Sequence, residues 1–200
     1  MVAPAVAAEE LRVWAAPDHG QNALRHALLA FLAARPDDAC SRSCAPGHLT
    51  ASTLVLDHAA EHTLLTMHPR VGRWLQLGGH CEPGDGSLRD AALREATEES
   101  GIAGLWVESA PVHLDVHPVT CSLGVPTRHL DVRYVAHAPA GAVPTISAES
   151  DDLRWWPLDA LPDDDTGEIA ALVRAFRAFR ATRHRHRPGV PVERTFDARL

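Results

Sequence analysis

Residues 78–102 join a glycine-rich run to a segment with helical signals, and this junction restricts the fold more than any other part of the chain. The run starts with two adjacent glycines. Ser87 is a suitable N-cap residue for the helix that follows, and Gly101 is a typical left-handed stop after its last turn. The sequence therefore predicts a tight loop followed by a helix over residues 88–100.

Three glutamates of this helix lie on the side that also carries its small apolar residues. At about 100° per residue, Glu95 and Glu99 fall beside Ala92, and Glu98 falls next to Ala91. Like charges one turn apart repel each other, so this arrangement needs a compensating cation. Mg²⁺ suits the position because hard cations bind carboxylate oxygens. The alternative is a surface helix with incidental acids.

The same segment resembles the Nudix box, the signature of the Nudix hydrolase family. That pattern is a glycine, five residues, a glutamate, seven residues, Arg-Glu, an aliphatic residue, any residue, Glu-Glu, any residue, a glycine and an aliphatic residue. The match runs from Gly79 to Ile102, with Arg94 at the arginine position. It departs from the pattern twice, because Asp85 replaces the first glutamate and Gly86 adds one residue to the spacer. We expect Asp85 to orient the Arg94 guanidinium in place of the glutamate.

The resemblance implies an α/β fold, a Nudix-type α/β/α sandwich around a mixed sheet, with an extra N-terminal helix. The Nudix domain is expected over residues 48–182. A leader and a helix are expected over 1–47, with a loose leader over 1–20 and the helix over 21–34. A basic flexible tail is expected over 183–200.

The resemblance also implies hydrolysis of a nucleoside diphosphate linked to another moiety, with metal-activated water attacking phosphorus. The proton of the water would pass to Glu98 or Glu95, and Arg94 completes the catalytic set. The Mg²⁺, or Mn²⁺, would be held by Glu95, Glu98, Glu99, the backbone carbonyl of Gly78 and the more distant carboxylate of Glu149.

Two later segments, 112–116 and 130–134, alternate apolar and polar residues as half-buried strands do. We expect the polar row of the second, His129, Asp131 and Arg133, to face the substrate, with Arg133 on a non-reacting phosphate or ribose. A wetted sheet face is the alternative interpretation.

Two further side-chain roles stay open. Trp74, before the glycines, could stack on a substrate base or pack in the core. A separate zinc site could form from His113, Asp115, His117 and His129, because imidazole and carboxylate are zinc ligands.

Composition excludes several classes of protein. The 19 basic residues are all arginine, which removes lysine bases and phosphate-loop lysines, and the net charge of −7 disfavours binding to duplex nucleic acid. The longest apolar stretch is too short to cross a bilayer, and no basic signal-peptide region precedes it. The four cysteines are expected to be reduced thiols. We expect a cytoplasmic protein that binds no membrane, and a homodimer is one option for its oligomeric state.

Two alternatives to the general activity remain. Pro118 lies sixteen residues beyond the box, a spacing similar to that of ADP-ribose-type pyrophosphatases. A catalytically silent Nudix domain could instead bind a nucleotide as a sensor. The intact pair Glu98 and Glu99 favours an enzyme over such a sensor.

Overall fold

The computed structural model describes residues 1–120, 124–148, 150–163 and 165–185. Four helices and eight strands are defined in this part of the chain. In chain order they are α1 (Pro4–Val13), α2 (His19–Ala34), β1 (His48–Leu56), β2 (His62–His68), β3 (Arg73–Leu75), β4 (Leu77–His80), α3 (Leu88–Ser100), β5 (Trp106–Val107), β6 (His113–Thr120), β7 (Pro126–His137), β8 (Asp152–Pro157) and α4 (Glu168–Arg185).

The strands form one mixed sheet around the pair β1 and β7. These two run parallel, with His48 opposite His129, and theirs is the only parallel pairing among the described strands. The antiparallel strands β5 and β6 pair with β7, whereas β2 and β4 pair with β1. Strands β3 and β8 pair with β2. The predicted mixed sheet is confirmed.

The two faces of the sheet pack against different helices, because successive residues of a strand point to opposite sides. Leu49 and Val132 belong to the core under α1, α2 and α3. Leu54 and Val135 belong to the core under α4. Helices therefore cover both sides, and the predicted α/β/α sandwich is confirmed.

The N-terminal addition is more ordered than the sequence indicated. Residues 4–13, expected to be loose, form helix α1, and its Leu11 is fully buried. Glu10 fixes this helix to the domain, because its carboxylate accepts hydrogen bonds from the Tyr134 hydroxyl at 2.7 Å and the Leu88 backbone N–H at 3.0 Å. The missed signal is the spacing of Ala7, Leu11 and Trp14, which is helical but lies among many other alanines.

The division of the chain into leader, domain and tail stays a prediction. Helix α4 continues to Arg185, past the expected end of the domain at 182, and the tail residues 186–200 lie outside the described part of the chain. None of the described helices is long and apolar enough to span a membrane.

Candidate active site

Helix α3 begins and ends where the sequence predicts. The Ser87 hydroxyl accepts a hydrogen bond from the Asp90 backbone N–H at 3.0 Å, which caps the first turn. Gly101 ends the helix with φ at 65°, a left-handed conformation that favours glycine. These caps fix the register in which the helix presents its acidic side chains to the glycine pair of β4.

Two of the three glutamates lie directly against that glycine pair. The Gly78 backbone N–H donates to Oε2 of Glu99 at 3.0 Å. Glu95 lies against Gly79, since a Cβ atom there would be 2.7 Å from its Oε1. Gly78 must be glycine because a Cβ atom would lie 2.3 Å from Cβ of Ser52. Glu98 differs, because its side chain is 60% exposed whereas that of Glu95 is 12% exposed. The Glu98 carboxylate is therefore more exposed to solvent than that of Glu95.

Arg94 connects the loop to the acidic face of the helix. Its Nε and Nη2 donate to the two carboxylate oxygens of Asp85 at 3.0 and 3.1 Å, and Nη2 also donates to the His80 carbonyl at 2.8 Å. Its Nη1 donates to Glu95 at 3.1 Å and to Glu98 at 2.9 Å. All five N–H groups of the guanidinium therefore have acceptors within the protein. Arg94 acts as a positioning residue, with no donor left over for a substrate.

The predicted contact between Asp85 and Arg94 is confirmed by this geometry. Its side chain is almost completely buried, and its Oδ2 also accepts the Glu82 backbone N–H at 2.7 Å. Burial acts to raise the pKa of Asp85, but the hydrogen bonds from Arg94 and Glu82 outweigh it and hold that pKa below its usual value. The shorter aspartate reaches the arginine in a two-point contact.

The opposite face of the sheet carries a buried ionic network around Asp131. Its carboxylate accepts from Thr50 at 3.0 Å, from Ser52 at 2.7 Å and from Nε of Arg133 at 2.8 Å. Nη2 of Arg133 also donates to Asp115 at 3.1 Å. Burial would raise the pKa of Asp131, but Arg133 and Ser52 hold it below the usual value.

The polar row of β7 points away from Leu130, Val132 and Tyr134, which pack under the N-terminal helices. Its burial differs from the expectation, however, because the Arg133 and Asp131 side chains are only 1% and 4% exposed. Side chains this buried, with their charges paired to each other, cannot contact a substrate without rearrangement. Arg133 and Asp131 therefore form the buried part of this polar face.

Four histidines extend the polar face from β6 through β7 and β1 to β4. His117 and His129 are register partners, as are His129 and His48, and His80 lies opposite Thr50. The His48, His80 and His129 rings lie 5.0 to 5.1 Å apart, centroid to centroid. Sequence reasoning named His129 but missed His48 and His80, because only the strand pairing brings them together.

Burial keeps these three rings neutral. Burial, the Arg42 guanidinium and the two neighbouring rings lower the pKa of His80 to about 3. Burial, together with His48 and His117, lowers the pKa of His129 to about 4, and burial also lowers the pKa of His48. His117 is the exception, because its hydrogen bond to Asp115 at 2.7 Å raises its pKa.

Trp74 is partly buried and packs against the core under α4. Its ring contacts Trp156 edge to face with centroids 5.3 Å apart, and the Arg154 guanidinium lies 5.6 Å above it. These contacts favour the core interpretation of Trp74 over base stacking.

The model of the NUDIX domain family matches residues 47–176, which is more than half of the 200 residues. The chain belongs to this family. The predicted Nudix hydrolase family is confirmed, and with it the predicted enzyme class, a hydrolase of phosphoanhydride bonds. No curated protein matches the chain.

Solved Nudix structures share the fold at low identity. A NUDIX-family hydrolase from Clostridium perfringens is 21% identical with a TM-score of 0.50, covering 66% of this chain and 97% of that one. A C. elegans Ap4A hydrolase binary complex is 23% identical with a TM-score of 0.49, covering 67% and 98%. The NUDIX domain of Shewanella oneidensis NrtR, complexed with ADP ribose, is 21% identical with a TM-score of 0.45, covering 68% and 86%. At these identities the likeness shows the fold alone.

The Nudix box supplies the donors that Mg²⁺ prefers, namely carboxylate oxygens and the Gly78 carbonyl. Among the described residues, Glu95, Glu98 and Glu99 are not one of the groups whose ligand atoms lie within 4.8 Å of one another, and Arg94 contacts a carboxylate oxygen of each of the first two. The donor atoms therefore suit a hard cation. For such a cation to bind, Glu95 and Glu98 would have to give up part of their contact with Arg94. Glu149 lies outside the described residues.

Proposed function

We propose that this chain is a Mg²⁺-dependent pyrophosphohydrolase that cleaves a nucleoside diphosphate linked to another moiety. The observation that carries the proposal is the set of three glutamates of α3, in which Arg94 contacts Glu95 and Glu98 and the glycine pair contacts Glu95 and Glu99. Two of the similar structures are an Ap4A hydrolase and a NUDIX domain complexed with ADP ribose, and both compounds contain a nucleoside diphosphate linked to a further group. A nucleotide conjugate is therefore the proposed partner.

The metal would be Mg²⁺ or Mn²⁺, and the proposed ligands are oxygen atoms throughout. When bound, it supplies positive charge against the phosphate oxygens and favours loss of a proton from the attacking water. The ligands we propose are the carboxylates of Glu95, Glu98, Glu99 and Glu149 and the carbonyl of Gly78.

The reaction breaks one phosphoanhydride bond by the addition of one water molecule. The water oxygen forms a bond to phosphorus, the bridging P–O bond breaks, and its electron pair leaves with the departing phosphate. Glu98 or Glu95 takes the proton of the water. Glu98 is more exposed to solvent, whereas Glu95 is held against Gly79, so the two differ in access rather than in chemistry. Arg94 orients both through its Nη1.

We propose that the substrate is recognised at the end of the polar face where the side chains keep partial exposure. Of the residues that the sequence suggested, His129 retains partial exposure, whereas Asp131 and Arg133 support it from beneath. Trp74 contacts Trp156 and Arg154, so a role on a substrate base would require a change in those contacts.

A panel of three substrate classes tests the proposal: a dinucleoside polyphosphate, a nucleoside diphosphate sugar such as ADP-ribose, and a nucleoside triphosphate. We expect one class to be cleaved with Mg²⁺ or Mn²⁺ and none after a strong chelator is added, with products separated by chromatography. Cleavage unaffected by the chelator would overturn the metal dependence. Tight nucleotide binding without turnover of any class would favour the sensor alternative. The cytoplasmic location and the homodimer stay predictions.

A further inference from the structure

Three imidazole rings from distant parts of the sequence meet on the sheet face opposite α3. His48 starts β1, His80 ends β4, and His129 lies in β7. One ring nitrogen of each lies within 4.8 Å of a ring nitrogen of the other two. Among the described residues, no Asp, Glu or Cys joins this group.

The spacing of the rings corresponds to three ligands of one tetrahedral metal ion. Their centroids are separated by 5.0, 5.0 and 5.1 Å, which is nearly an equilateral triangle. A zinc ion binds histidine nitrogen at about 2.0–2.1 Å, which puts it about 3.2 Å from the ring centroid and separates tetrahedral neighbours by about 5.2 Å. The rings already have this separation, so binding would require rotation of the rings rather than movement of the strands.

Two of the three rings carry buried nitrogens that have no hydrogen-bond partner among the described residues. His48 is fully buried, and neither of its ring nitrogens makes a hydrogen bond of ordinary geometry with a described residue, although the Cys44 backbone lies close enough to act on the pKa of the ring. Nε2 of His129 also makes no such hydrogen bond. Burying a polar atom without a partner is costly, so these nitrogens need a partner that the protein atoms do not supply, such as a water molecule or a metal ion.

We propose that His48, His80 and His129 form a binding site for a borderline transition-metal cation, Zn²⁺, separate from the carboxylate site of the Nudix box. Neutral imidazoles suit Zn²⁺, whereas Mg²⁺ prefers oxygen ligands. Three protein ligands leave the fourth position to water or to an anionic oxygen, as in open zinc sites. The site does not depend on the proposed hydrolase activity.

Residues next to the three rings would change the zinc affinity of the site. His117 lies 5.5 Å from His129, and its Nδ1 is paired with Asp115, so it is a neighbour rather than a ligand. Nη2 of the exposed Arg42 lies 3.1 Å from Nδ1 of His80 and places a positive charge at the edge of the site. Removing that charge with Arg42→Gln should tighten zinc binding, because like charges repel.

Zinc binding should be measured in a Glu98→Gln/Glu99→Gln background, in which the box has lost two carboxylates and the site proposed here is intact. We expect about one Zn²⁺ per chain by calorimetry and elemental analysis. Co²⁺ in place of Zn²⁺ should give the visible absorption of a tetrahedral ion. In the same background, His80→Gln and His129→Gln should each weaken zinc binding at least about a hundredfold, since even indirect partners of a metal site are worth ten- to a hundredfold.

The matched control is His58→Gln, which removes an exposed histidine from the turn after β1 and should leave zinc affinity unchanged. The proposal is overturned if the background protein does not bind zinc, or if His80→Gln and His129→Gln bind it as tightly as the control. Circular dichroism and thermal unfolding of each variant separate lost ligands from lost fold. If the wild-type protein cleaves none of the three substrate classes while the Glu98→Gln/Glu99→Gln protein still binds one Zn²⁺, the proposed hydrolase function is overturned and this site stands.

Discussion

The box helix and the polar face on the other side of the sheet both concentrate charged and titratable groups, but they differ in how those groups are balanced. On α3, Arg94 divides its donors between the mostly buried carboxylates of Asp85 and Glu95 and the carboxylate of Glu98, whose side chain is 60% exposed. On the other face, Arg133 and Asp131 are buried against each other. The exposed carboxylate on α3 is available for chemistry, whereas the buried pair of Arg133 and Asp131 stabilises the packing of the strands.

The comparison predicts its largest effect at the buried pair. Arg133→Ala should reduce the free energy of unfolding by about 3–5 kcal/mol, because it leaves the Asp131 carboxylate buried without its counter-charge. Urea unfolding measures this loss. Arg154→Ala, which removes an exposed arginine paired with Asp152, is the control and should have a far smaller effect. If the Arg133→Ala protein is as stable as the wild type, the buried charges do not stabilise the fold, and the proposed difference between this face and the box helix is wrong.

The second effect lies on the box helix and should appear in activity rather than stability. Glu98→Gln or Glu99→Gln keeps the size of the side chain and removes its charge, so kcat should fall at least about a hundredfold. Steady-state kinetics on the cleaved substrate measures it. The control is Asp90→Asn, on the exposed side of the same helix. A loss below about threefold for both glutamates would place the metal elsewhere.

The third effect is a dependence of stability on pH that comes from the histidine face. The folded-state pKa values of His80, about 3, and His129, about 4, lie below the ordinary value of about 6.5, so the unfolded chain binds protons that the folded chain does not. Stability should therefore fall as pH falls from about 6.5 toward 4, by up to about 1.4 kcal/mol per pH unit for each ring.

His117 acts in the opposite direction, because its raised pKa stabilises the fold at low pH and that contribution is lost as pH rises through its folded pKa. Urea unfolding at several pH values, repeated with His129→Gln, should show a shallower slope for the variant. His58→Gln should keep the wild-type slope. Equal slopes for all three proteins would mean that the rings are not kept neutral by the fold.

The smallest effect is expected where the loop supports the helix. Asp85→Asn keeps one acceptor for Arg94 but loses the charge-assisted pair, so kcat should fall by about tenfold, equivalent to about 1.4 kcal/mol, without unfolding. The control is Glu82→Gln, a more exposed carboxylate of the same loop at 4.0 Å from Arg94. If the two variants behave alike, Arg94 is oriented by Glu95 and Glu98 instead.

The sequence by itself determined the box and its supports, because they are local. Ser87, Asp85, Arg94 and the three glutamates lie within one loop and one helix, where spacing alone decides which side chains share a side. Helix periodicity and the alternation of β6 and β7 likewise follow from neighbouring residues. The same local logic failed at α1, where an alanine-rich stretch hid a buried helical stripe.

Only the tertiary structure decided the composition of the other face. The sequence suggested a zinc site from His113, Asp115, His117 and His129, since these are close in two alternating strands. The structure divides this set: Asp115 and His117 come together with Glu168, whereas His129 groups with His48 and His80, because β7 runs parallel to β1 and β4 pairs with β1 on its other side. Strand order and register are set by which faces the helices bury across the whole sheet, and no local pattern specifies them.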